Sequence, residues 1–272
     1  MNALIHIPDN DLKEAIDCIW YQNEEHWEYT SVCIPFLQQE IIINFGQHFS
    51  VQTATTRFNY TKAGGVSGIF QQPLTTKVAG KYNAIGIMLK PHGLHSLLGV
   101  NAAGLNVPQT LQYLLGDTIL QVAVQIEQTP TPADKIKLLQ SFLLSAARPA
   151  KIDATIHDFV QIISHQTLQK GNIKAYLANK HFAHKKFIAR FSAAFGLTPQ
   201  KYLQLQQLNN AVAQIAAKPN TPLIHVAIDN GFYDHAHFIH TFKAYTHITP
   251  TAYKKAVLAG KVQLSFPNAI NV

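Results

Sequence analysis

Gly231-Phe232-Tyr233-Asp234-His235-Ala236-His237-Phe238, continued by Ile239-His240-Thr241-Phe242-Lys243 and closed by Ile248-Thr249-Pro250, is the stretch that decides how this chain folds. Asn230-Gly231-Phe232 reads as a turn, because glycine accepts backbone angles that other residues resist. Asp234 can then accept hydrogen bonds from the open amides at the start of a helix running to Tyr245. Upstream, Thr221-Pro222-Leu223-Ile224-His225-Val226-Ala227 reads as a shorter helix that enters the same turn. The order is a short helix, a turn, a second helix ending in an aromatic, and a proline.

The same order occurs once earlier. Asn172-Ile173-Lys174-Ala175-Tyr176-Leu177-Ala178 is the short helix, a turn follows around Phe182, and a helix over Lys185–Phe195 is closed by Gly196-Leu197-Thr198-Pro199. Gly196 suits the left-handed position after a helix, and Pro199 the first turn of the next. Between the copies, Pro199–Ala217 carries Tyr202, Leu203, Leu205, Leu208, Ala211, Val212 and Ile215. That stripe predicts one long helix of about five turns holding the two units at a fixed separation. The pattern is an internal repeat of helix-turn-helix units.

Over about a hundred residues this region resembles the AraC/XylS-type transcription regulators. The resemblance rests on Gly231 to Phe238, Phe242-Lys243 and Thr249-Pro250-Thr251-Ala252-Tyr253. It rests also on Ala178, Arg190-Phe191, Phe195 to Pro199, Tyr202-Leu203 and Ala211. It implies that duplex DNA is read by the second helix of each unit, whose early side chains reach base edges in the major groove. Carried over position by position, the base-reading residues are Lys186, Ala189 and Arg190 in the first unit. In the second they are His235, Ala236, Ile239 and His240. Lys185, Lys201, Lys243 and Tyr245 are the candidates for phosphate contact.

The chain departs from that family at three places. His240 and Gln207 stand where arginine is usual, and both exchanges remove positive charge. His184 stands where a serine usually caps the first recognition helix, which leaves its first amides less well satisfied. The neutral histidines His235 and His240 each offer one donor and one acceptor, and protonation would add charge that attracts phosphate. Phe191, Phe195, Phe232, Phe238 and Phe242 are read as core.

Before Pro91 the chain reads as short strands. Ile41-Ile42-Ile43 and Phe45, then Val66–Phe70 and Ala84–Leu89, are apolar runs separated by Gly64-Gly65 and Pro73, as in an antiparallel sandwich or barrel. Leucines at helical spacing follow, at Leu94, Leu97 and Leu98, Leu111, Leu114 and Leu115, and Leu138, Leu139 and Leu143. Ile34-Pro35, Ile41–Gly46, Gly68, Gly86–Leu89 and Pro91-His92-Gly93 resemble the cupin-like sensor half found before some such regulators, which implies room for one small molecule. Pro91-His92-Gly93-Leu94-His95 is like half of a cupin metal motif. No matching His-x-His with a following Glu precedes it, so neither a metal nor a cofactor is expected.

Composition limits the other readings. With 47% hydrophobic and 14% charged residues in 272, the chain can bury a sizeable core. A net charge of +7 favours a polyanionic partner or a negatively charged surface, and charge alone does not choose between them. Two cysteines, Cys18 and Cys33, are too few for a disulfide framework and fit a reducing, cytoplasmic setting. No secretory leader or membrane-spanning run is visible. Neither is a nucleophile elbow, a phosphate loop ending in Lys-Ser or Lys-Thr, or a His-Glu-x-x-His site, so catalysis is not expected.

The sequence therefore predicts an α+β chain: a cupin-like antiparallel β-barrel with appended helices, then an all-α domain with two helix-turn-helix units. The divisions are 1–149 for sensing and dimerisation, 150–260 for DNA binding, and a tail over 261–272. The expected partners are double-stranded DNA, a small-molecule effector, a second copy of the chain and, for an activator, RNA polymerase; no membrane partner is expected. The competing reading is a cupin-like binding protein or enzyme whose helical part serves assembly or protein interaction.

Overall fold

A computed structural model describes residues 4–62, 64–105, 107–164, 173–263, 266 and 268–272. The first half is built from β1 (Leu4–His6), β2 (Ile16–Glu24), β3 (Tyr29–Cys33), β4 (Gln39–Asn44) and β5 (Phe49–Gln52). β6 (Arg57–Tyr60), β7 (Gly65–Ser67), β8 (Leu74–Val78), β9 (Tyr82–Leu89) and β10 (Gln109–Thr110) follow. One sheet has the order β1-β2-β9-β4-β7-β10. The other has the order β11-β3-β8-β5-β6, where β11 (Ala269–Asn271) comes from the far end of the chain. Every pairing is antiparallel, as expected. The expected barrel is open: strands of two to four residues form the edges and, among the described residues, no ladder joins one sheet to the other.

The pleat sorts the apolar run Ile41-Ile42-Ile43 onto two faces. Ile41 pairs with Ile87 and Ile43 with Ile85, on the side where α1 (Gly93–Leu98), α3 (Thr118–Gln128) and α4 (Pro132–Ala146) pack. Leu94, Leu97, Ile119, Ile126, Ile136, Leu139 and Leu143 complete that core. Burying each such side chain stabilises the fold by about 1.5–3 kcal/mol relative to leaving it in water. On the other side of the sheet, one row across three strands is Cys18, Met88 and Glu40, and the next is Trp20, Gly86 and Ile42. This second face looks towards the other sheet.

The last helix of the first half is tied down by a buried cation. Lys135 is 5% exposed, and its Nζ donates to the carbonyls of Ile126 at 2.6 Å and Glu127 at 2.8 Å. These lie in the last turn of α3, where open carbonyls carry partial negative charge.

The second half is helical: α5 (Ala154–Ser164), α6 (Ile173–Asn179), α7 (His184–Phe195), α8 (Pro199–Ala217), α9 (Leu223–Asp229), α10 (His235–Thr246) and α11 (Pro250–Leu258). α2 (Leu111–Leu115) belongs to the first half. α8 is the hub, since α5, α7, α9, α10 and α11 all pack on it. Its buried residues include Tyr202, Leu203, Leu205, Leu208, Ala211, Val212 and Ile215, the whole stripe read from the sequence. The helical core does not stop at the linker: Ile34, Leu37 and Ile69 of the first half belong to it. After α11 the chain returns to the first half, where Ala269, Ile270 and Asn271 pair with Cys33, Val32 and Ser31.

Candidate nucleic-acid interface and sheet cavity

The two helix-turn-helix units repeat down to the backbone angles. His181 (φ 50°) and Gly231 (φ 73°) take the left-handed conformation between the paired helices. Phe182 and Phe232 follow, each with its amide bonded back to a carbonyl of the short helix, Leu177 and Ala227 respectively. Gly196 (φ 76°) and His247 (φ 60°) end α7 and α10. Thr198 and Thr249 then cap α8 and α11, whose first residues are Pro199 and Pro250.

The recognition helices differ at their starts. Asp234 Oδ1 accepts the amide of His237 at 2.7 Å, the cap expected for α10. For α7 the cap position is Ala183, one residue before the histidine expected there, and no side chain closes it. His184 is the first helical residue, so the cap is indeed missing, but through Ala183.

In α7 Phe187, Phe191, Ala194 and Phe195 face the core, while Lys185, Lys186, Ala189 and Arg190 are exposed on the opposite side. Lys186 and Arg190 both lie 5.9 Å from the Phe182 ring centre, a cation–π arrangement that holds them over the turn. Arg190 also donates to the carboxylate of Asp153, which in turn accepts the amide of Thr155 at the start of α5. In α10 Phe238, Thr241 and Phe242 are buried, and Ala236, His240 and Lys243 are exposed. Ile239 is half-buried and packs against the core. His235 is half-buried too, with its Nε2 buried and without a hydrogen-bond partner, so its ring is turned partly into the protein.

Two of the phosphate candidates are engaged inside the molecule. Lys201 Nζ donates to Gln71 Oε1 of the first half at 2.6 Å. Tyr245 Oη donates to Gln204 Oε1 on α8 at 3.2 Å, and burial pushes its phenol up. Gln207 braces the second turn: its Nε2 donates to the Gly231 carbonyl at 2.8 Å, and the residue is 7% exposed. The first recognition helix also touches the first half. Gly196 sits against the Ala102 carbonyl, and the Phe195 ring meets the His92 imidazole edge-on at 5.7 Å.

That contact places the half cupin motif outside the sheets. His92 precedes α1, and its Nδ1 shares a hydrogen bond with Ser96 Oγ at 3.0 Å. Burial, then Lys90 and His157, push its imidazole down to about 4. Among the described residues, no group of three or more His, Cys, Asp and Glu could hold a metal ion.

Between the sheets lies a cavity of about 350 Å³. Trp20, Trp27, Tyr29, Phe49, Tyr60 and Tyr82 supply much of its wall. Trp27 stacks on Tyr29 at 4.8 Å and meets Tyr82 edge-on at 4.6 Å, while Phe49 stacks on Tyr60 at 4.6 Å. A Cβ at Gly86 would fall inside the Trp20 indole, so only glycine lets that ring lie across β9. Glu40 is the one charged side chain in the wall among the described residues. Glu40 is half-buried, and burial lifts its carboxyl to about 7. The tail reaches the same cavity through Gln263, Phe266 and Ala269.

From sequence, 261–272 was only a tail with no place in a sheet, and Glu40 was not marked at all. The available signal for Glu40 was one acid at the head of Glu40-Ile41-Ile42-Ile43. For the tail it was only Ala269-Ile270, too short to announce a strand.

Residues 180–256 match the family model of a helix-turn-helix domain, and residues 5–109 match that of a domain of unknown function, DUF6597. No curated protein matches the chain in sequence. Among solved structures, ToxT from Vibrio cholerae O395 bound to (E)-4-(8-methylnaphthalen-1-yl)but-3-enoic acid is similar. It has 8% identity and a TM-score of 0.50, with 87% of this chain and 99% of that chain covered. A second ToxT structure from Vibrio cholerae O395 has 9% identity and a TM-score of 0.49, covering 88% and 98%. The AraC-like transcriptional activator CuxR has 10% identity and a TM-score of 0.31, covering 78% and 87%. At such identities the likeness to ToxT is one of fold. Together with the two units packed on α8, the matched model makes residues 180–256 of this chain a helix-turn-helix domain.

Proposed function

We propose that the chain is a sequence-specific DNA-binding transcription regulator controlled by a small molecule held between its sheets. The observation that carries this is the pair of recognition helices. Each buries its phenylalanines and turns a basic or small-residue face outward, on one shared helix. Lys186, Ala189 and Arg190 on α7, with Ala236, Ile239 and His240 on α10, are the base-reading residues of this proposal. His235 would join them by turning outward. Lys185 and Lys243 meet phosphates; Lys201 and Tyr245 would do so after leaving Gln71 and Gln204.

Control is proposed to run through the tail. Residues 1–149 sense, 150–260 read DNA, and 261–272 join the end of the second unit to the cavity wall. Asn268 Nδ2 donates to the Pro35 carbonyl at 3.1 Å, and Asn209 of α8 donates to the same oxygen at 2.8 Å. One short segment before β4 thus holds both tail and hub. A ligand that touches Phe266 and Ala269 favours whichever tail arrangement it fits better, and shifts the DNA-competent population by that difference. ToxT with its bound butenoic acid supports a small-molecule effector here. Pairing of two copies through the first half, contact with RNA polymerase in the case of an activator, and a cytoplasmic location complete the proposal.

The test is selection of the full chain against a pool of random duplexes, followed by a salt titration on the enriched sequence. Enrichment of a motif spanning two successive major grooves, with steep salt dependence, is the expected result. Weak, salt-insensitive binding with no enriched motif would overturn it.

A further inference from the structure

We propose that the cavity takes a monocationic organic amine, with an apolar or aromatic body against Trp20, Trp27, Tyr29 and Tyr82 and its ammonium group on the Glu40 carboxylate. This deepens the effector reading above by naming the ligand's chemistry.

Charge is the first observation. The chain has a net charge of +7, yet among the described residues no lysine, arginine or histidine lines the cavity. Glu40 is alone there, and no ion pair or hydrogen bond to its carboxylate stands among those of the described residues. A half-buried carboxylate without a partner carries part of the cost of burying a charge, and a bound cation would offset it. A carboxylic acid of the kind bound to ToxT would instead bring a second negative charge beside the first.

The walls point the same way. The faces of tryptophan and tyrosine rings attract cations, most strongly where water is excluded. The volume, about 350 Å³, lies at the low end for small-molecule sites, which suits a body of one or two rings or a short alkyl chain. Elsewhere in the wall the polar groups are neutral. The Cys18 thiol on β2 is raised by burial, then by Asp17 and Glu40. The Cys33 thiol on β3, the Tyr60 phenol on β6 and the Tyr82 phenol on β9 are raised first by burial and then by Glu40. Asp17, beside Cys18, faces Gln38 and Lys90 away from this wall.

Three probes share one ring body and differ in charge: 1-naphthylmethylamine, 1-naphthylmethanol and 1-naphthoate. Calorimetric titration of the full chain at pH 8, without DNA, should find the amine tighter than the other two by about tenfold or more. Its advantage should shrink at pH 5.5, where Glu40 holds a proton and the amine keeps its charge. Glu40→Gln, close in shape to the parent, should abolish the advantage at pH 8. Equal or tighter binding of the naphthoate or the alcohol, an unchanged preference in Glu40→Gln, or no binding by any probe at millimolar concentration would each overturn the assignment. The pH comparison on the parent chain stands even if the variant folds poorly. Since no DNA is present, failure here is separate from failure of the regulator reading.

Discussion

Gln207, on the hub helix, donates its amide nitrogen to the carbonyl oxygen of Gly231 at 2.8 Å, so the turn of the second unit is held from α8. The same turn is stitched at Asn230, whose Nδ2 donates to the Val226 carbonyl at 2.8 Å and to Gln214 Oε1. A substitution at position 207 therefore acts on the turn before it acts on charge. Gln207→Leu should cost about 0.5–1.5 kcal/mol, because it removes a side-chain hydrogen bond to the carbonyl of an exposed glycine. Denaturant unfolding of the full chain measures this. Gln207→Arg should fail to raise DNA affinity despite its added charge; a gain of tenfold or more would show that the turn tolerates the exchange.

His181 takes the left-handed conformation that Gly231 takes in the second unit. A side chain there is strained by about 1–2 kcal/mol, and glycine relieves this while loosening the unfolded chain. His181→Gly should therefore stabilise the protein by a few tenths to about 1 kcal/mol, read as a rise in the urea midpoint. A fall would mean that the imidazole makes a contact worth more than the strain.

The repeat was legible because its signals are local. Gly231, Asp234, Gly196, Thr198-Pro199 and Thr249-Pro250 announce turns, caps and first turns through their own backbone chemistry. The stripe on α8 was legible because helical spacing needs no partner to be seen. What stayed hidden depends on distant partners. Nothing near Gln207 in sequence shows that it faces Gly231, and nothing near Glu40 shows that its strand forms a cavity wall. His92 carried a motif-like neighbourhood and sits instead against Phe195, at the residue before α1.

Ala183 leaves the first recognition helix without a side-chain cap, and it is exposed. Ala183→Ser should supply the missing acceptor and stabilise the chain by about 0.5–2 kcal/mol. Amide exchange in the first turn of α7 is the direct measurement, and it should slow. Unchanged exchange would mean that the turn holds the first amides by other means.

Burial alone lifts the Glu40 carboxyl to about 7, above the unfolded value of about 4.3. The folded state thus keeps a proton that the unfolded chain has lost. The stabilising contribution is fully present below about pH 4.3 and is lost as pH rises through 7. Glu40→Gln has no proton to lose. Relative to the parent it should gain about 1–3 kcal/mol at pH 8 and almost nothing at pH 4. Thermal unfolding at pH 4, 6 and 8 checks this, and an equal difference at all three values would remove Glu40 as the titrating group.

Arg190 is placed to read a base, yet in this structure it is paired with Asp153 and stands over Phe182. To enter a groove the guanidinium must leave that carboxylate, at a cost of up to about 1 kcal/mol for an exposed pair. Two variants separate the roles. Arg190→Ala should weaken specific binding by about 1–3 kcal/mol and relax selection at one base position. Asp153→Asn should tighten binding slightly, by no more than the pair's own worth, and leave the preferred sequence unchanged. Lys185→Ala is the contrast: loss of one phosphate contact should lower the salt slope by about one and weaken all sequences alike. If Arg190→Ala behaves like Lys185→Ala, the arginine meets phosphate. If it changes nothing while Asp153→Asn destabilises the fold, its work is to hold α5 against α7.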